Sequence, residues 1–234
     1  MHINEIYSSL QGEGLLAGTP SAFVRITGCN LRCHWCDTPF TSWEPSGTHM
    51  TIPEILRVVE KQEHRHVVVT GGEPLLFNET VALCDQLRRQ RYHVTIETAG
   101  TVIPQSFEDQ LLADLLSISP KLSSSSPTKN MSVSWAKRHQ SSRRQDNVLQ
   151  ALLASGPWQI KFVIETQEDL GEADAWIHDL RLQHQDGVIF MMPQGTSKEH
   201  LHRTTAWLSN ACKQRGYRLA HRHHIEWFGN TRGT

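Results

Sequence analysis

Three of the chain's five cysteines, Cys29, Cys33 and Cys36, stand within eight positions in the order C-x3-C-x2-C. Thiolates at that spacing can reach one inorganic centre from a single tight loop. A four-iron, four-sulfur cube has four corners and normally takes four cysteines. Three therefore leave one iron open to bind and reduce a ligand. Zinc is the alternative, with His34 or a distant histidine as fourth ligand. Structural zinc usually sits between two separated ligand pairs, and the chain has no second C-x-x-C and no H-x3-H. Cys84 and Cys212 stand alone inside helical patterns and read as small buried apolar residues. An odd cysteine count and an N-terminus unlike a secretory signal speak against a disulfide framework.

A chain of 234 residues suits one domain, or at most two small ones, with a sizeable core. A net charge of −1 and a pI near 6.9 give no broad footprint for nucleic acid. No apolar run approaches the ~18 residues of a membrane helix. The expected setting is a reducing cytoplasm. Among the fourteen histidines the dense tract is His221-Arg222-His223-His224. Such a run can bind metal, but it reads better as a solvated edge with one useful member.

Residues 2–7 alternate as an opening strand and lead into the turn Gln11-Gly12-Glu13-Gly14. That turn lacks the spacing of a nucleotide fingerprint. A second strand, 22–27, carries one charge, Arg25. Arg25 either lies on a solvated face or points into a pocket toward an anion, and we expect the pocket because a guanidinium fork matches a carboxylate. Thr51-Ile52-Pro53-Glu54 is a capping box opening a helix to about residue 62. Residues 66–70 form an apolar β-branched run of the kind buried on both faces of a parallel sheet. The turn that follows, Gly71-Gly72-Glu73-Pro74, thus falls at a strand's C-terminal end, where α/β folds place ligands.

Further strands are expected at 92–97, 115–119, 160–164, 188–192 and 218–221. Helices are expected at 78–91, 147–154, 168–183 and 198–215. This β-then-α rhythm predicts an α/β fold, a parallel sheet with helices outside. A closed eight-stranded barrel typically needs ~250 residues, so an open, partial TIM-like barrel is the expectation. The serine-rich and polar stretch 123–145 reads as weakly structured, a flexible segment or lid. No domain boundary stands out, and 1–234 reads as one domain.

The loop Cys29-Asn30-Leu31-Arg32-Cys33-His34-Trp35-Cys36-Asp37-Thr38 resembles the cluster loop of radical S-adenosylmethionine (SAM) enzymes, and Thr70-Gly71-Gly72-Glu73-Pro74 resembles their Gly-Gly-Glu-Pro segment. Further matches are Gln11-Gly12-Glu13-Gly14, Phe23-Val24-Arg25, Glu97-Thr98-Ala99-Gly100-Thr101, Ser119-Pro120-Lys121, Lys161-Phe162-Val163, Met192-Pro193-Gln194-Gly195 and the ending Trp227-Phe228-Gly229-Asn230-Thr231-Arg232-Gly233-Thr234. Together they are similar, nearly end to end, to the 7-carboxy-7-deazaguanine synthase family of the queuosine (7-deazapurine) route.

The resemblance implies a radical SAM core in which Cys29, Cys33 and Cys36 ligate three irons and SAM chelates the fourth. SAM is then bound by Gly71, Gly72 and Glu73, whose carboxylate either accepts from the amino group or braces the turn. Trp35, Cys36 and Asp37 in the loop, Ser119, Pro120 and Lys121, and Met192, Pro193, Gln194 and Gly195 complete its contacts. It implies a pterin pocket of Leu10, Gln11, Gly12, Glu13, Arg25, Thr70 and His224, with Thr98 a weaker member, and a chain end at Thr234 that reaches the substrate. Glu13 and Arg25 join the cysteines as catalytic residues. It implies Mg2+ held partly by Thr38. Ala99 stands where a polar residue is expected, which removes any ligand contact from that position. The implied reaction converts 6-carboxy-5,6,7,8-tetrahydropterin to 7-carboxy-7-deazaguanine and ammonia, with a flavodoxin or ferredoxin as reductant and a homodimer as the assembly. Two alternatives remain: another radical SAM enzyme, such as an activase making a glycyl radical on a partner protein, and a zinc-stabilised module without chemistry.

Overall fold

A computed structural model of the chain describes residues 1–107, 111–127, 132–182 and 187–234. In chain order its elements are β1 (His2–Leu10), β2 (Pro20–Ile26), α1 (Pro39–Ser42), β3 (Thr48–His49), α2 (Ile52–Glu60), β4 (His66–Gly71), α3 (Glu79–Arg89), β5 (His93–Thr98) and β6 (Leu115–Ile118). There follow α4 (Val133–Ser142), α5 (Asp146–Ala154), β7 (Trp158–Ile164), α6 (Gln167–Asp179), β8 (Val188–Pro193), α7 (Lys198–Arg215), β9 (Arg218–Leu219) and α8 (His223–Phe228). The strands form one nine-stranded sheet in the order β3-β1-β2-β4-β5-β6-β7-β8-β9. From β2 to β9 each neighbour is parallel, whereas β1 runs antiparallel to both β2 and β3. Its outer strands, β3 and β9, share no ladder, so the barrel is open.

Local chemistry explains the element ends. Thr51 and Glu54 complete a capping box on α2, and Thr166 and Asp169 do the same for α6. Gly216, at φ +77°, ends α7 in the left-handed conformation that only glycine adopts without cost.

Alternation sorts each strand's side chains between two environments. Ala22, Val24, Ile26, Val67, Val69, Val94, Ile96, Leu116, Ile118, Ile160 and Phe162 face the outer helices and form one core with Leu83, Leu87, Leu149, Leu152, Trp176 and Leu208. Trp176 packs on Phe162 at 5.9 Å; truncating such a buried ring costs about 3–5 kcal/mol. The intervening residues, Arg25, Thr70, Glu97 and Lys161 among them, face the concave side. A closed barrel fills that side with branched apolar residues. Here it is polar, which suits a ligand cavity.

Three expectations need correction. The stretch 123–145 is ordered over its described residues: Ser123–Ser125 make a 3-10 turn and Val133–Ser142 a helix opened by the Ser132 side chain; residues 128–131 lie outside the described ones. The pattern missed α4 because it has little apolar periodicity and packs on the cysteine loop rather than on the main core. The last strand stops at Leu219 and His223 opens α8: Arg222 and His224 turn toward Glu13, while His221 and His223 pack locally, His223 stacked on Trp227. The helix expected at 168–183 ends at Asp179, with residue 183 outside the described ones.

Candidate active site

The cysteine loop leaves β2 at its C-terminal end. Gly28 takes φ +118°, and its N–H donates to the Thr41 carbonyl at 2.8 Å. The Arg32 guanidinium folds back onto the Cys29 and Leu31 carbonyls at 2.9 and 2.7 Å, and Trp43 donates its indole N–H to the Cys33 carbonyl. From outside, α4 supplies His139, fully buried, whose Nδ1 accepts from the Arg32 N–H at 3.1 Å. Its Nε2 therefore carries the proton and donates to Ser125 Oγ at 3.0 Å, while Ser125 donates to the Leu122 carbonyl. Burial pushes His139 down to about 4, so it stays neutral in this role. Neither His139 nor α4 was legible as part of the site.

All three loop cysteines are free. Burial pushes the Cys29 thiol up to about 11 and Cys33 to about 12. Thiolates there need positive charge brought by a metal centre. Three thiols offered from one loop leave a cluster's fourth corner without a protein ligand. A cube takes each thiolate on a different iron, so the donor set fits a cluster held by Cys29, Cys33 and Cys36.

The Gly71-Gly72-Glu73-Pro74 turn abuts that loop. A Cβ on Gly72 would stand 2.2 Å from the Gly28 carbonyl oxygen and 2.9 Å from Cys29 Cβ. Gly71 holds φ +145° against the Ile26 backbone. Of the two roles open to Glu73, the geometry shows the brace: with 0% exposure, its carboxylate accepts from Leu75 N (3.1 Å), Thr98 Oγ1 (2.7 Å) and Ala99 N (2.8 Å). Burial raises its pKa despite these donors. Ala99 thus contributes its backbone N–H, which needs no polar side chain.

Across the cavity, Glu13 Oε2 accepts from Lys161 Nζ at 2.8 Å, and Oε1 accepts from Arg222 Nε at 3.1 Å. Burial alone would raise this carboxyl, but Lys161 and then Arg222 outweigh it and hold Glu13 well below the carboxylate range. Lys161 is also 3.8 Å from Glu97, whose other oxygen accepts from Thr70 Oγ1 at 2.9 Å. The His224 ring stands where a Gly12 side chain would be, 2.2 Å from that Cβ position, and 3.9 Å from Glu13. Burial holds His224 below its ordinary value. Gln11 is buried, with its amide N–H on Ser21 Oγ. Glu13 and Thr70 are thus linked across the concave side through Lys161 and Glu97, His224 stands against Gly12 and Glu13, and Gln11 sits at the other end of β2, on Ser21. Lys161, Glu97 and Arg222 join them; in the sequence Lys161 and Glu97 are only members of matched segments, and Arg222 only part of a solvated tract. A lone charge inside an apolar strand, Lys161 in Gln159-Ile160-Lys161-Phe162-Val163, is the signal that could have found the first.

Arg25 lies on the concave side, where its Nε donates to Glu5 at 2.8 Å and its Nη2 to Tyr7 OH at 2.5 Å. Leu10 ends β1 opposite Pro20. In the cysteine loop Asp37 accepts from Arg222, Thr38 Oγ1 is 3.8 Å from Cys36 Sγ, and half-buried Trp35 has Lys121 Nζ 5.8 Å from its ring centre. Ser119 and Pro120 follow β6, with Lys121 Nζ bonded to Ser119. Buried Met192 and Pro193 end β8; Gln194 N donates to the Ile164 carbonyl, and the Gly195 carbonyl accepts from Arg222. Thr234 bonds back to the Thr231 carbonyl, and the tail is tied to β1 through Arg232 on Glu5 and Asn4.

The radical SAM superfamily pattern matches residues 23–156. The chain is 45% identical to the 7-carboxy-7-deazaguanine synthase of Rhodopirellula baltica, over 99% of this chain and 88% of that protein. It is 40% identical to the protein of that name from Halobacterium salinarum, over 95% and 88% respectively. Among solved structures it is similar to QueE from Escherichia coli, with a TM-score of 0.70 and 26% identity over 95% of this chain and 94% of that one.

Proposed function

The chain belongs to the radical SAM superfamily and, within it, to the 7-carboxy-7-deazaguanine synthases, and on that premise we propose how its own residues divide the work. The enzyme is a carbon–nitrogen lyase of queuosine biosynthesis. It takes 6-carboxy-5,6,7,8-tetrahydropterin, contracts the six-membered ring and releases ammonia, leaving 7-carboxy-7-deazaguanine. When bound, the 4Fe–4S cluster and SAM supply a one-electron cleavage of the sulfonium and the 5′-deoxyadenosyl radical that takes hydrogen from substrate C6.

The observation that carries this reading is the contact between two motifs far apart in sequence. Gly72 is pressed on Gly28 and Cys29, so Gly71 and Gly72 would present their backbone to a cofactor held at the cysteine loop. Glu73 holds that backbone rigid, while residues 119–121 and 192–195 close the ribose and adenine side. Glu13, kept ionised by Lys161 and Arg222, accepts hydrogen bonds from the pterin's donor edge. Gln11 and Thr70 complete its recognition, and unpaired buried polar groups would reject analogues strongly. Arg25 offers its remaining Nη1 edge to the substrate carboxylate, with Tyr7 and Glu5 fixing its direction. His224 packs beside Gly12 and shields Glu13 from water.

Thr38, beside the last cluster cysteine, would supply one hydroxyl oxygen to Mg2+, a cation that takes oxygen ligands. A flavodoxin or ferredoxin delivers electrons on the α4 side, where Arg32, Lys137 and Arg138 make no ion pair among the described residues and Arg32 and Arg138 flank Trp135 at 3.9 and 5.2 Å. The whole chain 1–234 acts as one domain in a cytoplasmic homodimer. Among the described residues no helix is long and apolar enough to cross a membrane.

Anaerobic reconstitution tests the assignment. The wild type should gain iron–sulfur absorbance and convert the pterin with SAM and reductant, without any partner protein as substrate. Cys33→Ala should lose both cluster loading and deoxyadenosine formation; retained turnover would rule out the ligand set. Thr38→Ala should shift the Mg2+ dependence of turnover, and an identical titration would remove Thr38 from the metal.

A further inference from the structure

The sheet does not close, yet one side chain just past the C-terminal end of β9 bridges its opening, and one of its acceptors rises from the turn that follows antiparallel β1. Arg222 sits between β9 and α8 with 9% exposure. Its Nε donates to Glu13 Oε1 at 3.1 Å, its Nη2 to Asp37 Oδ2 at 2.5 Å and its Nη1 to the Gly195 carbonyl at 2.7 Å. These acceptors lie in three loops, after β1, after β2 and after β8. Glu13 and Asp37 belong to the first edge of the sheet; Gly195 and Arg222 belong to the last. Beside it His223 N donates to the Gly12 carbonyl at 2.9 Å, and His224 fills the space left by the absent Gly12 side chain.

We propose that Arg222 is a positioning residue that clasps the pterin turn, the backbone just past Cys36 and the 192–195 loop into one register across the open seam, so that the radical is committed to substrate. The inference rests on the radical SAM reading above. The planar guanidinium serves three acceptors from three separate nitrogens in fixed directions, whereas an ammonium has its three donors on one nitrogen and lacks that spread. Asp37 lies between Cys36 and Thr38, so the clasp sets how the chain leaves the cysteine loop. Lys161 holds Glu13 from the opposite side, so removing Arg222 leaves the acid one buried partner but frees Asp37 and the Gly195 carbonyl. Substrate and cofactor loops then move independently, and misplacement by as little as ~1 Å is costly for a reacting pair.

The test compares wild type, Arg222→Lys and Asp37→Asn at equal iron content. Its readouts are 5′-deoxyadenosine formed per 7-carboxy-7-deazaguanine, KM for the pterin against Kd for SAM, and Tm. The resemblance to these synthases implies that SAM is regenerated in the cycle, so coupled turnover should release little deoxyadenosine. Both variants should raise the ratio by about tenfold or more, and KM for the pterin should rise further than Kd for SAM. A residue that only stabilised the fold would lower Tm and leave the ratio alone. An unchanged ratio in both variants overturns the clasp while leaving the enzyme assignment intact. A wild type that forms neither product nor deoxyadenosine overturns both. Asp37 is on the exposed side of the clasp, with 44% of its side chain accessible, so its variant remains informative should Arg222→Lys fold poorly.

Discussion

Two glutamates beside turn glycines, Glu73 fully buried and Glu13 with 16% of its side chain accessible, have opposite electrostatics. Glu73 is enclosed by uncharged donors, the Thr98 hydroxyl and the backbone N–H groups of Leu75 and Ala99. Burial outweighs them and its pKa rises. Glu13 is enclosed by cations, Lys161 and Arg222, which overcome its burial, and its pKa falls. A carboxylate saturated by backbone donors shapes the turn it belongs to. One held by two buried cations from distant parts of the chain keeps its charge and its remaining lone pairs for a ligand. Similar sequence motifs thus produce a frame in one region and a recognition group in the other.

The contrast breaks most visibly at Glu13. Glu13→Gln leaves Lys161 and Arg222 buried around a neutral amide and should cost about 3–5 kcal/mol of stability, with pterin KM raised more than SAM Kd. A thermal melt within a degree of wild type would show the pair to be dispensable. Next comes Gly72→Ala, whose methyl must displace the Gly28 carbonyl or Cys29. It should cost about 3 kcal/mol, the upper end of overpacking, and reduce iron bound after reconstitution; full iron loading would deny the contact its importance. Glu73→Gln keeps the shape but turns a donor toward a donor, for about 1–2 kcal/mol. Its kinetic effect should fall on SAM affinity and leave pterin KM alone, the reverse of Glu13→Gln.

The smallest effect is in the pH dependence, where the signs differ. A lowered pKa contributes stability above the unfolded carboxylate value of about 4.3 that is lost as pH falls below it. Glu13→Gln should therefore cost more at pH 7 than at pH 4. A raised pKa contributes stability present below that value and lost as pH rises through the folded one. Glu73→Gln should accordingly cost more at pH 4 than at pH 7. Denaturant titrations of both variants at the two pH values check this, and parallel shifts would erase the distinction.

Much of the fold was legible because its signals are local. The β-branched run at β4, the capping box of α2 and the span 198–215 of α7 each follow from neighbours in sequence. So do the cysteine loop and the two glycine turns. α4 was not legible, because a helix that packs on a loop needs no apolar stripe matched to the main core. Arg222 was hidden in a histidine tract because its importance comes from residues 209, 185 and 27 positions away. His139 was hidden for the same reason, its partner Arg32 lying 107 positions off.

By itself the sequence determined the chemistry on offer: three thiolates in one loop, glycines where backbone must meet backbone, carboxylates at strand ends. Only the tertiary structure decided which charge each carboxylate faces, and that one guanidinium bridges the two edges of an open sheet. Hydrogen bonds within a few residues are written in composition and spacing. Electrostatic partners depend on which strands the topology brings together, and alternation along a strand says which side a residue faces but not what waits there.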